Sequence, residues 1–400
     1  VTSYHGASVT AVTIGNRKGN WFCKRRTQPV LNQDNETVLR VLTRKIIGER
    51  RMDKRVRWGL IGASTIADEW MIEAIRSQPD GEIATVVSGS VERAREFAQK
   101  HNIEAQTADL DSVLADPSIT AVYISSTNEK HLPPALAAAK AGKHVLCEKP
   151  LALAEEEAAQ IIDVCASYNV RLGTNHHLRC AATHRKMREL IRAGTIGTPL
   201  FARVFHAVSL PPHLRGWRIS RPDAGGGVIL DISVHDADTL RFILDAEPVE
   251  VCAMTSTGAM GTGGLADGVM GIIRFSNGVL AQIHDAFTVP YAPTGLEVHG
   301  TDGSLIGRDV MTQQPIGELQ VRSSRGIEVI DVDHRNLYVT SVAEFHAAIL
   351  GGGQPAASGN DGYRSLVTAL RLEQAAATGR CIKMPPDRGL HAAGTEAGSK

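Results

Sequence analysis

From residue 55 onward the chain alternates two hydrophobic rhythms, and before that point there is neither. Short apolar runs at 56–61, 83–87, 121–124, 145–147 and 170–173 have the length and β-branched content of buried strands. Between them, helical periodicity predicts helices running to residue 76, from 131 to 141 and from 153 to 168. Strands alternating with helices in this way predict a mostly parallel, doubly wound α/β sheet over 52–177. Past Leu178 the pattern shifts to strands in succession, at 200–208, 249–255, 268–275, 279–287, 296–300 and 303–307, separated by turn signals such as Ser276-Asn277-Gly278 and Thr301-Asp302-Gly303. With helical patterns at 340–350 and 363–378, this predicts a second, α+β domain over 178–385, largely antiparallel. Residues 386–400 read as a flexible tail.

Length agrees, since 400 residues exceed what one ordinary core organises. The formal net charge of zero hides an asymmetry: up to Arg57 there are thirteen Lys and Arg against four Asp and Glu. Residues 1–51 lack the continuous apolar segment of a secretory signal. They read as a disordered leader, or as sequence translated from upstream of a true start at Met52. No basic stripe interleaves with aromatics, which argues against nucleic acid, and no apolar stretch reaches the length of a membrane span. Six scattered cysteines without a CxxC predict free thiols in a reducing cytoplasm. Fifteen histidines show no zinc-site spacing, so no metal is expected.

The chemistry sits at the ends of the predicted strands. Gly62-Ala63-Ser64-Thr65-Ile66-Ala67 lies between a strand and a helix, the context of a dinucleotide-binding turn, with Ser64 and Ala67 in place of the second and third glycines. Gly62 would make the tight turn, and Ser64 would offer a hydroxyl to phosphate. The next strand ends in Ser88-Gly89-Ser90 where NAD-specific sites put an acid, with Arg93 beyond it, which suits the 2′-phosphate of NADPH over NADH. Arg93 alone could equally be a solvated residue early in a helix. Ser126, Thr127 and Asn128 form a polar loop at another strand's carboxyl end. Glu148-Lys149-Pro150 ends a fourth strand and delivers an ammonium to the rim of the sheet, where it can meet a carbonyl. In the second half, Gly225-Gly226-Gly227 permits a sharp turn before Asp231 and His235, whose four-residue spacing shares one helix face. A capping acid and an incidental histidine would explain that pair about as well. Trp217-Arg218 could cover a nucleotide or a sugar.

The order of these motifs resembles the Gfo/Idh/MocA oxidoreductase family over Met52 to about Pro385. The segments from Gly62 to Ala67, Ser126 to Glu129, Thr174 to Arg179, Gly225 to Asp231 and Val234 to Phe242 are similar to bacterial members that reduce 1,5-anhydro-D-fructose with NADPH. The resemblance implies an N-terminal Rossmann domain plus a C-terminal α+β domain with a large open, mainly antiparallel sheet, and a keto-sugar bound between them. It implies NADPH-dependent reduction of the keto group of 1,5-anhydro-D-fructose to 1,5-anhydro-D-mannitol. It makes Lys149 and His235 catalytic, and Asp231, His176 and Tyr338 substrate contacts. It puts Gly62, Ala63, Ser64, Thr65, Ile66, Ala67, Ser88, Gly89, Arg93, Ser126, Thr127, Asn128, His131, Glu148, Lys149, Asn175, Trp217 and Arg218 at the cofactor. Gly89 departs from the pattern where a hydroxyl residue can stand, at the expense of one 2′-phosphate donor. Two other readings stay open: another NAD-dependent pyranose or inositol dehydrogenase of the family, and a non-catalytic NADP sensor, which need not keep both Lys149 and His235. The open sheet face could pair with a second subunit, and sequence does not decide whether it does.

Overall fold

The structure, a computed structural model, describes residues 15–17, 20–22 and 55–386. Two compact units divide between Lys54 and Arg55. In the first, β1 (Gly15–Arg17) pairs antiparallel with β2 (Asn20–Phe22). The rest of the predicted leader, and the predicted tail apart from residue 386, lie outside the described residues.

In the second unit, β3 (Val56–Ile61), β4 (Gly81–Val87), β5 (Ala105–Thr107), β6 (Ala121–Ile124), β7 (His144–Cys147) and β8 (Leu172–Thr174) form a sheet ordered β5-β4-β3-β6-β7-β8. Every neighbouring pair is parallel. All of β6 and the last three residues of β7 are buried, as unbroken apolar runs require when both faces are covered. The strand order reverses between β3 and β6, and the carboxyl ends part there to leave a crevice for a ligand. Gly62 makes that exit at φ 120°, its amide donating to Val87 O at 2.9 Å. A Cβ at Gly62 would stand 2.9 Å from both Ser125 C and Ser126 N, and neither backbone atom can step aside. Gly62→Ala should therefore cost about 2–4 kcal/mol of stability, from dihedral strain plus the clash. Thermal denaturation checks this, and a melting temperature within about 1 °C of the parent counts against it.

The first sheet also takes in a late helix. Leu337–Ile349 packs on it, with Trp58 Nε1 donating to His346 Nε2 at 3.0 Å and His346 Nδ1 lying 2.8 Å from Asp80 Oδ1. Phe345 lies against Trp58, ring centroids 5.6 Å apart. The chain after residue 178 thus contributes to both layers rather than to the second sheet alone.

That second sheet has nine strands: β9 (Pro199–Ala207), β10 (Pro248–Thr257), β11 (Ala266–Phe275), β12 (Leu280–Ala286), β13 (Gly295–Gly300), β14 (Gly303–Arg308), β15 (Glu318–Ser323), β16 (Gly326–Ile330) and β17 (Ile382–Lys383). Their order is β16-β15-β14-β13-β9-β12-β11-β10-β17, antiparallel throughout except for the parallel pair β9 and β12. Along β9 and β11 burial alternates: Ala202, Val204 and Ile273 face the core, and Phe201, Met270 and Ile272 are exposed on the open face. β15 and β16 were not foreseen; β16 is an edge strand whose residues are mostly exposed, so no buried face marks it in the sequence.

One expectation is corrected. Cys252 on β10 and Cys381 beside β17 form a disulfide, because the β10–β17 ladder brings together residues 129 apart. Long-range pairing of this kind leaves no spacing signal. Cys147, Cys165 and Cys180 are free and buried. Among the described residues no helix is long and apolar enough to cross a membrane, and no cluster suits a metal ion.

Candidate active site

The turn after β3 feeds a helix whose first part is a π-turn, Ala67–Met71, followed by Ile72–Arg76. Ser64 caps its start: Oγ accepts from the Ala67 amide at 3.2 Å, and its carbonyl accepts from Asp68 N at 3.0 Å. The amides of Thr65 and Ile66 precede these and suit a pyrophosphate at the positive end of the helix. The Ser64 hydroxyl is itself engaged by Ser125 Oγ at 2.7 Å. That hydrogen bond braces the two loops. On the neighbouring loop, Ser88 is buried and Gly89 exposed. Arg93, from helix Val91–His101, reaches back to donate to Ala63 O at 2.8 Å, which brings its guanidinium to the glycine turn. Arg93, Ser88 and Ser90 thus gather at the end of β4, where a Rossmann domain holds the adenosine ribose of a dinucleotide.

After β6, Ser126 and Thr127 are half-buried, and Asn128 is buried with Nδ2 donating to Gly225 O at 3.3 Å. Gly225 adopts φ 75°, and a Cβ there would meet Leu153 Cδ2 at 2.4 Å, so only glycine lets the second half approach this closely. His131 has no exposed surface and spans Pro150 O, 2.9 Å from Nδ1, and Ser126 O, 3.1 Å from Nε2.

Glu148 and Lys149 leave β7 in opposite senses. Glu148 turns inward, where its Oε1 accepts from Tyr123 OH and Asn175 Nδ2, both at 2.6 Å. Asn175 accepts in turn from Ser341 Oγ at 3.1 Å. Burial pushes the Glu148 carboxyl up against the opposing pull of those donors. Lys149 turns outward across the crevice and donates to the main-chain oxygen of Asp231 at 2.6 Å and to its Oδ1 at 3.1 Å.

Asp231 lies in a second π-turn, Ile229–Ser233, that leads into helix Val234–Leu244. Such bulges recur at functional sites, where an extra residue re-aims the side chains of a helix. Arg218 Nε approaches the same Oδ1 at 3.2 Å, with its guanidinium 4.7 Å over the Trp217 ring. Burial alone would raise the Asp231 carboxyl, but the charges of Lys149 and Arg218 outweigh it and hold it at about 2. His235, one turn further on, is 7% exposed and rests on a column of rings: edge-on to His177 at 4.9 Å, then Tyr338 at 4.7 Å, then Trp70 at 5.2 Å. Burial, then the charge of Lys149, drives His235 well below the ordinary imidazole value, so the ring is neutral. Its Nδ1 is buried without a partner, which leaves Nε2 as the nitrogen for a substrate.

The structure therefore brings Lys149, Asp231, His235 and Arg218 together at the mouth of the crevice. Four residues expected to touch ligands are buried in this structure. His176 is 1% exposed, with Nε2 2.8 Å from Ser365 Oγ, and Tyr338 is fully buried with its hydroxyl accepting from Gln313 Nε2 at 2.8 Å. Asn175 and His131 are equally buried. Sequence reasoning also missed His206, half-buried on β9 beside this cluster.

Comparison with known proteins defines the class. Residues 56–176 match the oxidoreductase family with an NAD-binding Rossmann fold, and residues 184–306 match the GFO/IDH/MocA C-terminal domain. The chain belongs to the Gfo/Idh/MocA oxidoreductase family. Within it, the chain is 55% identical to 1,5-anhydro-D-fructose reductase of Ensifer adhaerens over 82% of its own length and 98% of that protein's. It is 28% identical to myo-inositol 2-dehydrogenase of Thermotoga maritima, over 82% and 98%. Among solved structures, levoglucosan dehydrogenase in complex with NADH and L-sorbose is 26% identical with a TM-score of 0.73, over 83% of this chain and 99% of that one.

Proposed function

We propose that this protein reduces the keto group of 1,5-anhydro-D-fructose to 1,5-anhydro-D-mannitol with NADPH. The observation that carries this reading is the 55% identity to a reductase of that sugar across 98% of the relative's length. The ion pair between Lys149 and Asp231, with His235 one turn away, supports the chemistry. When bound, the cofactor supplies a hydride to the carbonyl carbon. Lys149, held against Asp231, faces the carbonyl oxygen, stabilises the charge that develops there and donates the proton that completes the alcohol. His235, being neutral, is the weaker acid and orients the same oxygen by hydrogen bonding. Asp231, kept ionised, accepts from a sugar hydroxyl while fixing the lysine.

Arg93 at the glycine turn, with Ser88 rather than an acid at the end of β4, supports NADPH over NADH. The test is a panel of keto-sugars and polyols with each cofactor, read by absorbance at the reduced nicotinamide. Consumption of NADPH with 1,5-anhydro-D-fructose is expected, and Arg93→Ala should raise KM for NADPH roughly tenfold or more while leaving KM for NADH little changed. Oxidation of inositol or levoglucosan with NAD, and no keto-sugar turnover, would overturn the reading.

A further inference from the structure

The helix that carries Asp231 and His235 brings two further acids against the second sheet. Asp236 is fully buried, with Oδ1 2.8 Å from His206 Nδ1. Asp285, fully buried on β12, accepts from Ser233 Oγ at 2.5 Å through Oδ2. His206 and Asp285 are register partners on the parallel strands β9 and β12, so they point to the same, covered face. The two carboxyl groups act directly on each other, and the oxygens left over, Asp236 Oδ2 and Asp285 Oδ1, are buried with no hydrogen-bond partner among the described residues.

A buried ionised oxygen without a donor is costly, and two carboxylates cannot supply a donor to each other, because each ionised oxygen only accepts. Side by side in a buried setting they would also repel. One shared proton removes both problems and leaves a single negative charge opposite His206. That charge fixes the imidazole with its N–H at Nδ1 toward Asp236 and a bare lone pair at Nε2. Nε2 makes no hydrogen bond to a described residue, and the side chain keeps 12% exposure. The charges that act on the ring besides Asp285 are Lys149 and Asp231, the two groups at the reacting carbonyl.

We propose that Asp236 and Asp285 are a proton-sharing positioning pair that presents His206 Nε2 to the substrate pocket as the acceptor for a sugar hydroxyl. The hydroxyl depends on the keto-sugar reading above, but the carboxyl pair does not. The surroundings agree. His177, His184 and His235 are held neutral by burial, so no imidazolium lies nearby to replace the shared proton. Burial also lifts both acids, Asp236 to about 7 and Asp285 well above the ordinary carboxyl value.

The pair can be read without substrate. Infrared spectra of the full chain should show a protonated-carboxyl band that Asp285→Asn removes. In kinetics, Asp285→Ala should raise KM for the keto-sugar roughly tenfold with a smaller change in kcat, the size expected when a buried group loses its partner. Asp285→Asn, whose amide can donate to Asp236 and accept from Ser233, should restore KM to within about threefold of the parent. In a His206→Ala background, Asp285→Ala should add less than about twofold, since the pair acts through that ring. Additive effects of the two substitutions, or an unchanged infrared band in Asp285→Asn, overturn the proposal. If Asp285→Ala does not fold, the band and the asparagine variant decide. If the parent turns over no keto-sugar, the functional reading fails while the infrared result still judges the pair.

Discussion

Lys149→Ala is expected to lower kcat for keto-sugar reduction by roughly a thousandfold, since it removes a proton donor and the charge that stabilises a developing alkoxide together. His235→Ala should cost less, about a hundredfold, because a neutral imidazole contributes orientation and one hydrogen bond. Lys149→Arg separates the two parts of the lysine's role. Arginine keeps the cation beside Asp231, so substrate should still bind, but guanidinium does not give up its proton near neutral pH. Its kcat should therefore stay about a hundredfold down, the share assigned to acid catalysis. Steady-state kinetics with NADPH decide the matter. An arginine variant that turns over at the parent's rate would confine Lys149 to charge stabilisation, and a near-normal alanine variant would end the mechanism. Loss of Lys149 leaves Asp231 with Arg218 as its only charged partner at that oxygen among the described residues, so a thermal melt should accompany the kinetics to exclude unfolding.

What could be read from sequence was chemistry carried by consecutive residues. The turn from Gly62 to Ala67, Glu148-Lys149-Pro150 and the run from Gly225 to His235 each hold their own geometry, because strand ends and helix starts fix where neighbouring side chains point. The parallel sheet was legible for a related reason: strands covered on both faces must be apolar throughout. Contacts made by long-range pairing were not legible. His206 meets Asp285 only because β9 and β12 run side by side, and Cys252 meets Cys381 only across the β10–β17 ladder. The burial of His176 and Tyr338 was hidden likewise, since matching motifs identify residues near a site without giving their exposure. Both Lys149 and His235 being present, and brought to one crevice, removes the ground for the non-catalytic sensor.

Denaturant unfolding at a series of pH values should show greatest stability in mildly acidic buffer and a steep fall below about pH 4.5. Five histidines, the buried His176, His177, His184 and His235 and the half-buried His206, have values depressed by desolvation, to about 4 for His176, His184 and His206. Unfolded, each takes up a proton near 6.5. Between about 6.5 and 4 the unfolded chain therefore binds more of these protons, and acidification removes stability, by up to roughly 3 kcal/mol for each ring near 4. Glu148, Asp236 and Asp285 act in the opposite sense: burial raises them, so the folded state keeps protons that the unfolded chain has lost above about 4. Across the shared window the three acids offset only part of what the five rings lose. Below it the unfolded acids protonate as well and their opposition ends. Asp231, and Asp361 beside Arg179 and Arg241, are held low by those cations despite their burial and now resist protonation in the folded state, which adds to the acid loss. Above 6.5 the histidines have nothing further to contribute, and the raised acids alone make stability decline as pH climbs through about 7. Asp285→Asn should flatten that alkaline decline and leave the acid limb in place. A maximum above pH 8, or constant stability between pH 5 and 4, would show that these rings and carboxyls do not titrate as their burial requires.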